Sequence, residues 1–99
     1  MFARVTVFQG AADQRDALVR HVQEQVAPTL KDLRGFQRGY WLRDQQAGDN
    51  VMVITVWESQ EAMRASEARV TQLRAQAAEK FGAKVQSSET YELIAEVAV

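Results

Sequence analysis

Six residues on three strand-like segments carry most of the chemistry open to this sequence: Arg4, Thr6 and Phe8, then Trp41, then Thr55 and Trp57. A fixed guanidinium favours the ionised form of a bound phenol or carboxylate, and a threonine hydroxyl can donate to the same oxygen. Arg4 and Thr6 are therefore the candidate catalytic pair. The tryptophans offer flat faces for an aromatic ligand, and Phe8, Trp41, Thr55 and Trp57 form the candidate ligand-binding set. Each has a plainer reading. The tryptophans could pack a core or a subunit interface, and Arg4 could lie along its strand with its head in water. Tyr40 or Tyr91 could donate to a substrate oxygen, although a single structural hydrogen bond is the commoner role. His21, the single histidine, invites a general-base role. On an ideal wheel it falls about 60° outside the apolar arc of its helix, which places it at a rim or in solvent.

The elements that must position these residues read clearly. Residues 2–9 (FARVTVFQ) form a strand closed by Gly10. Asp13 and Asp16 sit where the first turn of a helix favours carboxylates. Leu18, Val19, Val22, Val26, Leu30 and Leu33 then share an arc of about 120°, with Pro28 predicting a kink or split. Gly35 ends this helix. Residues 36–44 read as strand two, 45–49 as a polar turn and 51–57 (VMVITVW) as strand three, so the pair is a hairpin. Ser59 is an N-cap with Glu61 behind it. Ala62, Met63, Ser66, Val70, Leu73, Ala77 and Phe81 occupy an arc of about 100°, and Gly82 stops that helix. Residues 89–99 alternate as a fourth strand.

The order is β-α-β-β-α-β, the ferredoxin-like α+β arrangement, with an antiparallel sheet carrying both helices on one face. Strand parity predicts that Val5 and Val7 face the helices, turning Arg4, Thr6 and Phe8 to the other side. If Asp44 pairs with Asn50, Trp41 and Arg43 share a face with Val53, Thr55 and Trp57. Tyr40 and Leu42 then pack with Met52 and Ile54. Strand three carries no charge on either face, so the face away from the helices is expected to be covered by a second copy about a two-fold axis.

Composition narrows the function. Ninety-nine residues suit one domain, residues 1–99. Twelve basic and thirteen acidic side chains give a net charge of −1, which argues against nucleic acid or an anionic membrane as partner. With no cysteine there is no disulfide framework or thiolate chemistry. The start of the chain has the wrong order for a signal peptide and no apolar run reaches the roughly 20 residues of a membrane span, so a cytoplasmic location is expected. No GxGxxG, Walker, HExxH or GxSxG pattern occurs, and no metal site is expected. Arg34-Gly35-Phe36 imitates the start of an RNA-recognition signature, but Gln37 and Arg38 break it and it lies on the wrong strand.

Residues 33–67 resemble the core of the antibiotic-biosynthesis-monooxygenase-like proteins. The resemblance rests on G-F-x-x-G-Y at 35–40, a D…G turn at 44–48 and V-W-E-S-x-E-A at 56–62. It implies a dimeric α+β barrel with a cup between sheet and helices, and an activity that oxygenates an aromatic or phenolic substrate with no cofactor. The haem-degrading branch uses an Asn, a Trp and a His that this sequence lacks on strand one and the second helix. The expectation is a homodimer binding a small apolar or aromatic molecule, with a non-catalytic ligand-binding or regulatory dimer as the alternative.

Overall fold

The computed structural model describes residues 1–10, 14–46 and 49–99. Four strands, β1 (Phe2–Gln9), β2 (Phe36–Arg43), β3 (Asn50–Trp57) and β4 (Lys84–Glu92), form one sheet in the order β2-β3-β1-β4. All three pairings are antiparallel. This is the ferredoxin-like α+β fold, and the β-rich composition of β1 and β3 explains why they take its centre. Asp13 and Gly48 lie outside the described residues, whereas Asp16 stands in the first helical turn as expected.

The first helix is divided, as Pro28 requires. Helix α1 (Arg15–His21) passes into a π-helical turn, Val22–Val26, in which the Ala27 N–H bonds to Val22 O. Helix α2 (Ala27–Lys31) follows, with Pro28 in its opening turn, where a missing N–H matters least. Beside it the Thr29 hydroxyl donates to Gln25 O at 3.0 Å.

Gly35 turns the chain into β2 at φ 83°, and a β-carbon there would stand 2.5 Å from that of Ala62. The glycine is thus required both by its left-handed backbone and by the closeness of α3 (Gln60–Ala65). Helix α3 starts as read from sequence, with Ser59 Oγ accepting the Ala62 N–H at 3.1 Å. The second helical stretch breaks at Ser66 and resumes as α4 (Glu67–Phe81), ended by Gly82 at φ 68°.

The strand registers place the side chains. Arg43 pairs with Val51 and Trp41 with Val53, and Asp44 N–H bonds to Asn50 O at 2.9 Å, so the expected hairpin register holds. On β1 the parity is the reverse of the expectation. Arg4 and Thr6 are buried beneath the helices, while Val5 and Val7 pair with Ile54 and Met52 on the opposite face. The apolar valines belong to the helix-free face because that face is itself apolar: Tyr40, Leu42 and Met52 lie there and are substantially exposed.

Strand β4 also differs from expectation. It occupies Lys84–Glu92, and residues 93–99 leave the sheet. Leu93 N–H bonds to Met1 O, and Glu96 reaches Arg38 of β2 at 2.7 Å. The tail therefore passes from one edge strand to the other, with Ile94 and Val97 exposed. The alternation of residues 89–99 is real, but only its first part has a strand to pair with.

Candidate functional site

Arg4, Thr6, Phe8, Trp41 and Thr55 line one pocket between sheet and helices, together with Leu18, His21, Val22, Val70, Arg74 and Ala77. Register explains the convergence. Residues 4, 6 and 8 of β1, 51, 53 and 55 of β3, and Trp41 of β2 share one face of the pleat. Gly39, two residues before Trp41, lets the indole lie across the strand, since a β-carbon there would stand 2.9 Å from the ring.

The inner chamber measures about 80 Å³ and its walls are almost wholly apolar. A wider vestibule of about 330 Å³ shares Leu18, Val22, Trp41 and Val51 with it and adds Arg15, Gln23 and Arg43 at the mouth. A cavity that holds one benzene ring is about 150 Å³. An aromatic ligand would therefore seat one edge in the chamber and extend past Trp41 into the vestibule.

Two cations stand at the polar end, in different states. Arg4 is spent on the protein. Its guanidinium donates to Met63 O at 2.8 Å, Ser66 Oγ at 3.3 Å and Glu67 Oε2 at 2.7 Å, and lies 5.8 Å from the Trp57 ring centre. Burial pushes its pKa down, partly offset by Glu67, and neighbouring Arg74 pushes it lower. Arg74 is the more available group. It donates to Ser88 Oγ at 2.9 Å and Thr6 Oγ1 at 3.2 Å, and its other nitrogen is 3.9 Å from Glu67 Oε1. Thr6 and Ser88 hydroxyls are themselves 3.2 Å apart. Arg74 and the Thr6 hydroxyl thus meet in the lining of an apolar chamber, with the exposed Ser88 hydroxyl bonded to both, an arrangement suited to an oxygen that carries negative charge.

Trp57 is not among the lining residues. It is fully buried in the core with Val26, Leu30 and Met63, and its Nε1–H donates to Thr55 Oγ1 at 3.0 Å. Tyr40 and Tyr91 are exposed and stand outside the pocket.

The sequence reading missed Arg74 and the burial of His21. Arg74 was detectable, because it sits about 20° beyond the edge of the α4 apolar arc. His21 was not at a rim: it is 6% exposed, packs edge-on against Phe81 with centroids 5.4 Å apart, and lines the chamber. The π turn accounts for the error. It takes up one extra residue, so everything after it lags by about 100° of helical phase. Re-phased in this way, Leu18, His21, Val22, Val26, Leu30 and Leu33 fit one arc of about 100°. Val19 drops out of the arc, and it is 45% exposed.

Burial lowers the His21 pKa below 6.5, and Lys80 lowers it further. The sign follows directly. Above pH 6.5 the imidazole is neutral in both folded and unfolded chains. Below it the unfolded chain takes up a proton first, so stability falls with pH until the folded pKa is passed, by at most about 1.4 kcal/mol per pH unit. Urea melts between pH 8 and 5 should therefore show a steeper acid-side loss in wild type than in His21→Phe. Parallel curves would mean that His21 titrates as freely folded as unfolded.

The antibiotic biosynthesis monooxygenase profile matches residues 1–86. This chain belongs to that family. An uncharacterised protein of Mycobacterium tuberculosis H37Rv, Rv2557, is 35% identical over 82 residues, which is 83% of this chain and 36% of that protein. The chain thus spans about a third of that relative's length. SnoaB from Streptomyces nogalater, described as a cofactor-independent oxygenase, superposes with a TM-score of 0.70 at 19% identity, covering 97% of this chain and 95% of SnoaB. A dimeric ferredoxin-like protein from an uncultured marine organism gives a TM-score of 0.72 at 10% identity, with 100% of both chains covered. At these identities the two structures bear on the fold. Among the described residues no helix is long and apolar enough to cross a membrane.

Proposed function

We propose that this chain pairs through the helix-free faces of its sheets and that each subunit oxygenates a small phenolic or otherwise acidic aromatic molecule, with no cofactor. The observation that carries this reading is the apolar chamber whose lining brings Arg74 and the Thr6 hydroxyl together. An electron-rich substrate that gives up a proton becomes an anion able to react with oxygen. The cation and the Thr6 hydroxyl stabilise that anion and the charge that builds on oxygen. One oxygen atom ends in the product as a carbonyl and the other leaves as water.

The roles divide accordingly. Thr6 and Arg74 hold the charged oxygen. Phe8, Trp41 and Thr55 wall the ring, and Arg4 stands behind as a positioning cation. The similarity to a cofactor-independent oxygenase supports the reaction class. The exposed Tyr40, Leu42 and Met52 support pairing of the sheets, as does the dimeric state of a protein of like fold.

The test is oxygen uptake with an anthrone or hydroquinone substrate, in the presence of a chelator. Arg74→Met should lower the enzyme-dependent rate about 10²-fold, the scale of losing one charge-stabilising group. An unchanged rate in Arg74→Met would remove the assigned roles. Saturable binding with no uptake would make the chain a ligand-binding protein instead.

A further inference from the structure

The Thr6–Arg74 pair leaves one polar group of the chamber unexplained. His21 carries one donor and one acceptor when neutral, and buried polar groups are almost always hydrogen-bonded. Here both ring nitrogens are shut off from solvent and neither has a partner among the described residues. The imidazole is instead gripped by apolar neighbours, edge-on to Phe81 and beside Leu18, Val22 and Ala77. A histidine kept for packing alone would do no better there than a phenylalanine, and it would carry the full penalty of two unmade hydrogen bonds. The backbone is also arranged to bring it in. The π turn re-phases the helix so that His21 joins the buried arc, and such turns recur at functional sites.

We propose that His21 is the specificity-determining contact for a hydroxyl-bearing aromatic ligand, its neutral imidazole hydrogen-bonding the ligand hydroxyl from the helical wall of the chamber. This deepens the reading above and rests on it: the substrate class narrows from acidic aromatics in general to those that carry a hydroxyl. Burial and the nearby Lys80 ammonium keep the ring unprotonated at neutral pH, so that an acceptor nitrogen is present. Arg74, which also lines the chamber, takes that oxygen once it is ionised, so His21 is the partner of the neutral hydroxyl.

The probes are 1-naphthol and naphthalene. Naphthalene is the more hydrophobic, so an indifferent apolar pocket would prefer it. Fluorescence titrations at pH 7.5 should show wild type binding 1-naphthol at least tenfold more tightly than naphthalene. In His21→Phe the preference should be lost or reversed, while Tyr91→Phe, exposed and outside the pocket, should keep it.

A second readout needs no variant. His21 is the single histidine, so its ring nitrogens give unambiguous NMR signals. Saturating 1-naphthol should shift the acceptor-type nitrogen, and naphthalene should not. Equal binding of the two probes, a preference that survives in His21→Phe, or a ring signal indifferent to 1-naphthol would overturn the assignment and leave the pocket standing. If neither probe binds, the pocket reading fails and the assignment falls with it.

Discussion

Replacing Trp57 by alanine should destabilise the domain by about 3–5 kcal/mol, the usual cost of truncating a buried aromatic. For a chain of this size that corresponds to a fall in melting temperature of roughly 12–40 °C. Trp57 is the one large side chain fully closed off from solvent among the described residues. Its ring packs on Phe36 at 5.3 Å in an edge-to-face contact and on the core formed by Val26, Leu30 and Met63. A small domain has about 5–15 kcal/mol in hand, so the loss would take a large share of it. Trp57→Phe should cost less, about 1–3 kcal/mol, since a ring remains but the Thr55 hydroxyl loses the indole donor. Urea and thermal melts decide the matter. A Trp57→Ala protein that melts near wild type yet fails to bind ligand would return Trp57 to the pocket.

The contrast between the two tryptophans shows what pattern can and cannot reveal. Their shared face followed from one register assumption, Asp44 opposite Asn50, and that register is present. Sharing a face did not fix depth. Trp41 sits on β2, an edge strand, next to the opening, whereas Trp57 ends β3 where α3 folds back over it. Element order, turn glycines and the Ser59 cap were readable because each depends on local chemistry that repeats across folds.

The face of β1 was misread for a physical reason. Apolar residues normally mark the helix side of a two-layer fold. Here both sides of the sheet are apolar, and the helix side admits a buried arginine because α3 and α4 supply its acceptors from about sixty residues away in sequence. Nothing local announces such a partner. The π turn was equally silent in the pattern, since a uniform wheel has no place for one extra residue.

The Arg4 and Arg74 side chains should separate on mutation, one costing the fold and the other the ligand. Arg4→Met should destabilise by about 1.5–3 kcal/mol, the range for charge-assisted hydrogen bonds. The side chain is 4% exposed and ties β1 to the break between α3 and α4. Met63 O lies in the last turn of α3, where carbonyls want donors and the helix dipole favours a cation. The Glu67 end contributes less, because that carboxylate is 57% exposed and screened by water. Met63 O also keeps a second donor, Ser66 Oγ at 2.6 Å, which caps the loss below that of an orphaned pair. Arg4→Lys should recover only part, since one ammonium cannot reach three acceptors spread over a planar fork. Arg74→Met should instead change stability by less than about 1.5 kcal/mol, because Ser88 is exposed and the buried Thr6 hydroxyl keeps Ser88 Oγ at 3.2 Å, while weakening a phenolate ligand. Paired urea melts and titrations with 1-naphthol above and below its own pKa measure both arms. If Arg4→Met kept full stability and lost binding, the buried guanidinium would be the ligand's cation after all, and Arg74 a bystander.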